Sequence, residues 1–328
     1  YNLLLTPSER RGLFAQTRYD ITDNVNWYFR GLYNQRESVN QAAPEPFFLG
    51  FGAGTGNPYS DGMFISADNP YNPFGFDLVS TGDDANLILL GRRPLEGGPR
   101  IFQQDVDTWY IATGLEGSFE AADRAFFWDL NYARSENEAQ QTNFGSYNIR
   151  RVALALGPVA ACEADPNCVP LNLFGGPGTI TPEMLNYIQP LIRDESQNSL
   201  QLLSANLSGD LFELPAGPLA FATGYEHRRL EGFYRPDALT IAGEYNGVPS
   251  LATAGEYDVS EYYLELSVPV YAAGESRLDL SAAGRYSDYS TFGGETTGKF
   301  GLRWQVAEEF VLRGSFAEGF RAPSIGEL

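Results

Sequence analysis

The chain has 328 residues, of which 43% are hydrophobic and only 20% charged, with 35 Gly, 22 Phe, 19 Tyr and 4 Trp. Acids outnumber bases 42 to 22, for a net charge of -20, and Lys299 is the single lysine. That balance excludes nucleic acid as a partner, because such binding depends on basic contacts to phosphate. One histidine, His227, leaves no multi-histidine metal cage and only one choice of base for a serine triad. No catalytic residue, metal site or cofactor is expected, and the chain does not read as an enzyme.

No stretch approaches the roughly 18 uninterrupted apolar residues that a membrane helix needs. The nearest, Val152 to Cys162, is broken by Gly157 and Pro158. A transmembrane β-barrel crosses on segments of about ten alternating residues and can be polar on average, so the mean hydropathy of -0.27 does not decide the matter. The chain opens on Tyr1 with neither a Met nor a signal peptide, which suggests an excerpt or processed form.

Alternation begins early. Leu13, Ala15, Thr17, Tyr19 and Ile21 share one phase; after the polar turn Thr22-Asp23-Asn24, Val25, Trp27, Phe29 and Tyr33 resume it. A period of two predicts strands, and the pair predicts a hairpin. A second hairpin joins Trp109, Ile111, Thr113, Leu115 and Phe119 to Phe126, Trp128, Leu130 and Tyr132. The third joins Leu203, Ala205, Leu207 and Leu211 to Leu219, Phe221, Thr223 and Tyr225 across Leu214-Pro215-Ala216-Gly217. The fourth joins Tyr262, Leu264, Leu266 and Val268 to Leu278, Leu280, Ala282 and Tyr286, and the fifth joins Phe300, Leu302 and Trp304 to Phe310, Leu312 and Phe316. About ten strands are predicted.

Short connections lie within hairpins, whereas those between hairpins are long and rich in Gly, Pro and Asn: Gln41 to Gln104, Ala139 to Gln197 and Arg229 to Glu256, with a shorter Ser290 to Gly294 link. In an antiparallel barrel every second connection lies on the same side, so the long loops gather at one end. Trp27, Trp128 and Trp304 sit near the short turns in the apolar phase, as an interfacial aromatic girdle requires. Charges fill the other phase, including Arg18, Glu116, Asp129, Glu226, Arg228, Glu261, Glu265, Asp279, Arg285, Lys299 and Arg313. A water-filled or plugged lumen tolerates them where an apolar core does not. For each one, an ion-pair ladder stiffening the wall is favoured over direct contact with a solute.

The run Glu256 to Val270, Gly284-Arg285-Tyr286-Ser287-Asp288-Tyr289-Ser290, Lys299 to Trp304 and Leu312 to Ser315 closes with Gly319-Phe320-Arg321-Ala322-Pro323-Ser324 and Glu327-Leu328. Earlier come Leu5 to Arg10, Asn69 to Gly75, Pro170 to Gly175 and Gly224 to Arg228. In this order the segments resemble the barrel of TonB-dependent outer-membrane receptors, with Phe320, Arg321, Ala322, Pro323 and Ser324 as the family signature. The resemblance implies an all-β fold, an antiparallel transmembrane barrel of about 22 strands with long extracellular loops, of which residues 1–328 supply about ten. Neither the plug domain nor the TonB box of such receptors is found in this stretch, so 1–328 is expected to be part of one barrel domain. The implied function is active import across the bacterial outer membrane, energised through TonB acting on the plug. The solute would be a ferric siderophore by default, with cobalamin or an oligosaccharide also compatible. The alternatives are a passive outer-membrane porin and a soluble β-sandwich carbohydrate-binding module.

Cys162 and Cys168, in a long loop, suggest a loop-stapling disulfide at an oxidising surface, with a metal pair the weaker reading. Thr181-Pro182-Glu183 followed by Met184, Leu185, Tyr187, Ile188 and Leu191 reads as a capped amphipathic helix. The Gly50 to Gly56 run reads as flexible loop and not a phosphate cradle. Ligand capture is assigned to loop aromatics, with Tyr59, Tyr71, Phe74, Phe233, Tyr234 and Tyr245 as the candidate ligand-binding residues.

Overall fold

The computed structural model describes Leu3 and residues 5–327; of the sequence motifs, Leu328 lies outside the described residues. Its strands are β1 Ser8–Thr22, β2 Val25–Ala42, β3 Phe47–Leu49, β4 Phe64–Ile65, β5 Leu78–Val79, β6 Leu90–Arg92 and β7 Arg100–Ala121. They continue with β8 Arg124–Phe144, β9 Ile192–Leu214, β10 Gly217–Arg235, β11 Thr253–Ala273, β12 Ser276–Tyr289, β13 Gly293–Ala307 and β14 Phe310–Ala317. Ten of these form one antiparallel sheet in the order β1-β2-β7-β8-β9-β10-β11-β12-β13-β14, open at its β1 and β14 edges. All five expected hairpins are present. Among the described residues no second large sheet exists, so the β-sandwich alternative has nothing to pack against.

The short turns are built in two ways. At Ala122 and Asp123, φ values of 51° and 59° give the doubly left-handed turn whose twist matches that of the flanking strands. The other four hairpins shift register near their turns, at Asp20/Thr22, Leu219/Ala220, Pro269/Tyr271 and Gln305/Ala307. Such bulges add local twist, and Pro269, which lacks an amide hydrogen, falls at one of them.

Register keeps the two phases apart across the whole sheet. Tyr19 pairs with Trp27, Trp27 with Leu115, Leu115 with Leu130 and Leu130 with Ala205 on the apolar face. Asn26, Glu116, Asp129, Asn206, Gly224, Tyr263 and Arg285 form one row on the polar face. The apolar face is exposed, with Leu13 at 70% and Phe300 at 63%. A two-residue period does not tolerate a one-residue slip, which would move every side chain to the other face.

The strands run further than expected towards the long connections. Alternation in the sequence puts the loops from Gln41, Ala139 and Arg229, yet β2 continues to Ala42, β8 to Phe144 and β10 to Arg235, and β7, β9 and β11 begin at Arg100, Ile192 and Thr253. The 23 residues of β9 span about 75 Å at roughly 3.3 Å each, well beyond a hydrocarbon core of about 30 Å. Segments such as Gln140, Gln141, Thr142 and Asn143 are polar on both faces, so the hydrophobic period vanishes while backbone pairing continues.

The best-buried apolar core lies in the long connections and not in the sheet. Phe47, Leu49, Met63 and Ile65 from the first connection meet Tyr147, Ile149, Val152, Leu156, Leu171, Met184 and Ile188 from the second. The rings of Phe47 and Tyr147 stack at 4.3 Å. Five helices serve this body: α1 Pro58–Asp61, α2 Ile149–Leu156, α3 Val159–Glu163, α4 Pro182–Ile188 and α5 Ala238–Ile241. The α4 helix starts where the capping residues indicate, with the Thr181 side chain accepting from the Met184 amide. The apolar run 152–162 divides between α2 and α3 at Gly157 and Pro158. The Gly50 to Gly56 run forms turns leading into α1, whose Asp61 carboxylate accepts from the Thr55 and Gly56 amides.

Candidate functional site

The polar face carries two constellations. In the first, Tyr28 on β2 crosses Gly114 on β7 to donate its hydroxyl to Asn131 Oδ1 on β8 at 2.5 Å. Tyr263 on β11 crosses Gly224 on β10 to donate to Asn206 Oδ1 on β9 at 2.8 Å. Both asparagine amides then donate to Asp129 Oδ1. Arg30 lies over the Tyr28 ring at 5.7 Å and Arg285 over the Tyr263 ring at 5.5 Å. The result is a pseudo-symmetric belt across seven strands, with Asp129 at its centre. It lines a concavity of about 740 Å³ together with Arg18 and Glu116, which pair at 2.6 Å.

The glycines make the crossing possible. A Cβ at Gly114 would stand 2.7 Å from Tyr28 Cε1, and one at Gly224 2.5 Å from Tyr263 Cε1. Gly114→Ala and Gly224→Ala are each expected to cost about 1–3 kcal/mol by overpacking, read as a lower urea midpoint of the folded barrel in detergent. Gly284→Ala, with nothing within 4 Å of its added methyl, serves as the unchanged control.

The second constellation centres on Glu261, which is 3% exposed. Its Oε2 accepts from Arg228 Nη2 at 2.5 Å and Arg285 Nη1 at 3.3 Å, and its Oε1 from Ser287 Oγ at 2.6 Å. Glu226 pairs with Arg228 Nε at 2.9 Å. Glu265 lies in register with Ala222 and Ala283, and Arg313 with Arg303. Glu226, Arg228, Glu261, Glu265, Arg285 and Arg313 thus share the polar face, with Glu226, Arg228, Glu261 and Arg285 in one network and Glu265 and Arg313 outside it.

The six candidate aromatics do not converge. Tyr59 packs against the loop core. Tyr245 is bridged through its backbone to Asn148, and burial raises its pKa. Phe74 is 53% exposed and makes an edge contact with Phe174 at 5.7 Å, and Tyr71 is exposed nearby in the chain. Phe233 and Tyr234 are strand residues of β10 and not loop residues, in register with Ala254 and Thr253. Tyr234 shares the polar face with Arg36 and Ser196, whereas Phe233 lies on the opposite face beneath Arg235. The sequence places both among the loop aromatics, whereas consecutive residues of a strand point to opposite faces.

Cys162 and Cys168 form a disulfide. The loop it closes is tied to α4, since Tyr187 donates its hydroxyl to Asp165 Oδ2 at 2.9 Å. The Asn167 amide and then the Tyr187 hydroxyl lower the Asp165 pKa, while burial and then Asp165 push Tyr187 up to about 12. Both shifts support the fold over the neutral range. The Asp165 contribution fades as pH falls below the ordinary carboxylate value, and the Tyr187 contribution as pH rises from 10 towards about 12. Reducing the disulfide is expected to cost about 2 kcal/mol of loop-closure entropy. Protease cleavage between residues 157 and 180 would increase while the strands stay intact.

Sequence reasoning did not find Tyr28, Asn131, Asn206 or Tyr263, since neutral residues carry no charge signal. Each crossing tyrosine faces a glycine in register, but register is visible only once strands are paired.

An open antiparallel sheet with one lipid-compatible face, one polar face and its long connections at one end is the wall of an outer-membrane-type β-barrel. Residues 48–328 match the model of the TonB dependent receptor-like β-barrel family, and the chain belongs to that family. No curated protein matches the chain. Among solved structures it is similar to the closed form of the ferric-catecholate import receptor Fiu of E. coli K12, at 11% identity and a TM-score of 0.35, over 91% of this chain and 41% of that one. The chain therefore spans less than half the length of that receptor.

Proposed function

We propose that residues 1–328 form one segment of a single outer-membrane barrel that imports a scarce solute with energy transmitted by TonB, a transporter and not an enzyme. Membership of the TonB-dependent receptor family over residues 48–328 carries this reading. The -20 charge is consistent with it, since acidic loops repel polyanions and favour neutral or cation-bearing solutes. The partners would be outer-membrane lipid at the apolar face, a plug domain in the lumen and the TonB complex acting through that plug.

A ferric siderophore is the default solute, with cobalamin or an oligosaccharide as further classes. Within the outer loops Tyr71 and Phe74 remain the candidates for first contact, and Tyr234 for contact inside the wall. The test is uptake of an ⁵⁵Fe-catecholate by iron-starved cells producing the full-length receptor, with and without a functional TonB. Accumulation that requires both receptor and TonB is expected. Receptor-dependent uptake that persists without TonB would make the protein a passive pore.

A further inference from the structure

The signature segment that follows β14 folds back onto the polar face of the sheet. Its first anchor is Phe320, which meets Tyr289 edge-on at 5.8 Å and Phe292 at 6.5 Å, while Tyr289 stacks on Phe292 at 4.6 Å. Its second is Ile325. Gly232 on β10 and Gly255 on β11 are register partners on the polar face and leave a notch in the wall. A Cβ at Gly255 would stand 3.2 Å from Ile325 Cγ2, and one at Gly232 3.5 Å from Ile325 Cδ1.

A third element closes the segment on itself. Glu327 accepts two bonds from Arg321 Nη2, at 2.6 and 2.7 Å, and one each from the Ser324 amide and hydroxyl, at 2.8 and 2.9 Å. Arg321 and then Ser324 hold the Glu327 pKa down at about 2. The latch is complete above the ordinary carboxylate value and is lost only as pH falls towards about 2. The polar-face positions buried in this part of the wall gather around the anchors. Val259, 1% exposed, is the register partner of Tyr289, and Glu261 that of Ser287, itself 1% exposed.

The neighbouring wall differs in chemistry. The row that ends at the glycine notch runs Asn34, Thr108, Asn137, Asn198, and the row nearer the long connections runs Ser38, Gln104, Gln141, Asp194. Two concavities of about 250 and 550 Å³ open there and share Arg36, Gln104 and Gln141. Amides and hydroxyls exchange hydrogen bonds with water or a polar solute at little net cost, whereas the Arg228–Glu261–Arg285 network must be broken to admit a new partner.

We propose that residues 318–327 are a fixed strap that closes off the β10–β12 side of the lumen and confines passage to the wall of β2, β7, β8 and β9, where amides and hydroxyls alternate with Arg36 and Asp194. The idea of passage rests on the transport reading above; the strap's position does not.

Single-cysteine variants of the full-length receptor in living cells test it, probed with a membrane-impermeant maleimide, the native cysteines being bridged. Gln141→Cys is expected to label at least tenfold faster than Ser287→Cys. Cysteines at Ile325 and Gly255 together are expected to cross-link without reductant and to leave the Gln141→Cys rate unchanged. Equal rates at Gln141→Cys and Ser287→Cys would overturn the proposal, as would a Gln141→Cys rate that falls on cross-linking and recovers with reductant. If the paired cysteines prevent folding, the two single variants still decide. The labelling needs no transport, so loss of TonB-dependent uptake with this pattern intact would count against the transport reading alone.

Discussion

Glu261→Ala is expected to cost about 3 kcal/mol of barrel stability, towards the lower end of what breaking a buried ion pair costs. The carboxylate is 3% exposed and accepts from Arg228, Arg285 and Ser287, so its removal deprives Arg285 and the buried Ser287 hydroxyl of their acceptor and leaves Arg228 with Glu226 alone. Both arginines keep some contact with solvent, which limits the penalty. The measurement is the urea midpoint followed by the gel-mobility difference between folded and heat-unfolded barrel. Glu116→Ala provides the contrast. Its pair with Arg18 is much more exposed, and such pairs contribute at most about 1 kcal/mol. Equal effects of the two variants would mean that Glu261 is wetted in the assembled barrel and that its network does not stiffen the wall.

The second large effect concerns the two faces of β12. Leu280 lies on the apolar face, in register with Val268 and Leu302, two residues deeper than Leu278, the register partner of the girdle residue Trp304. Leu280→Arg is expected to cost about 1–2 kcal/mol, between the interfacial and midplane values, and to reduce the amount of folded receptor in outer-membrane fractions. Its neighbour Ser281 faces the polar side, where concavities border it, and Ser281→Arg is expected to leave assembly intact. In water the same substitution at Leu280 would be nearly neutral, so the pair of variants reads directly whether lipid covers the apolar face. An assembly yield for Leu280→Arg equal to that of Ser281→Arg would remove the membrane from the account.

The hairpins and their order were legible in the sequence because a strand's period is local, although charges such as Arg134 and Glu136 fall in the phase of Trp109 and Ile111. Trp27, Trp128 and Trp304 could be placed beside short turns by counting along the chain. The limits of the strands were not legible, since towards the long connections both faces become polar and the alternation that marks a strand disappears. Nor was the loop core, whose residues come from connections about a hundred positions apart. The spacing of Ile149, Val152 and Leu156 did carry a helical signal that the neighbouring glycine and proline obscured.

The sequence by itself determined that this protein is a strand-built wall with apolar groups on one face and polar groups on the other, because the environment acts on every second residue of each strand. Only the tertiary structure decided which of those polar groups meet. Tyr28 and Asn131 are separated by 103 positions in sequence and join across a glycine; Ile325 finds a notch made by two glycines from different strands. Such contacts depend on the register of pairing between strands, which emerges when the whole sheet assembles and is written in no single segment.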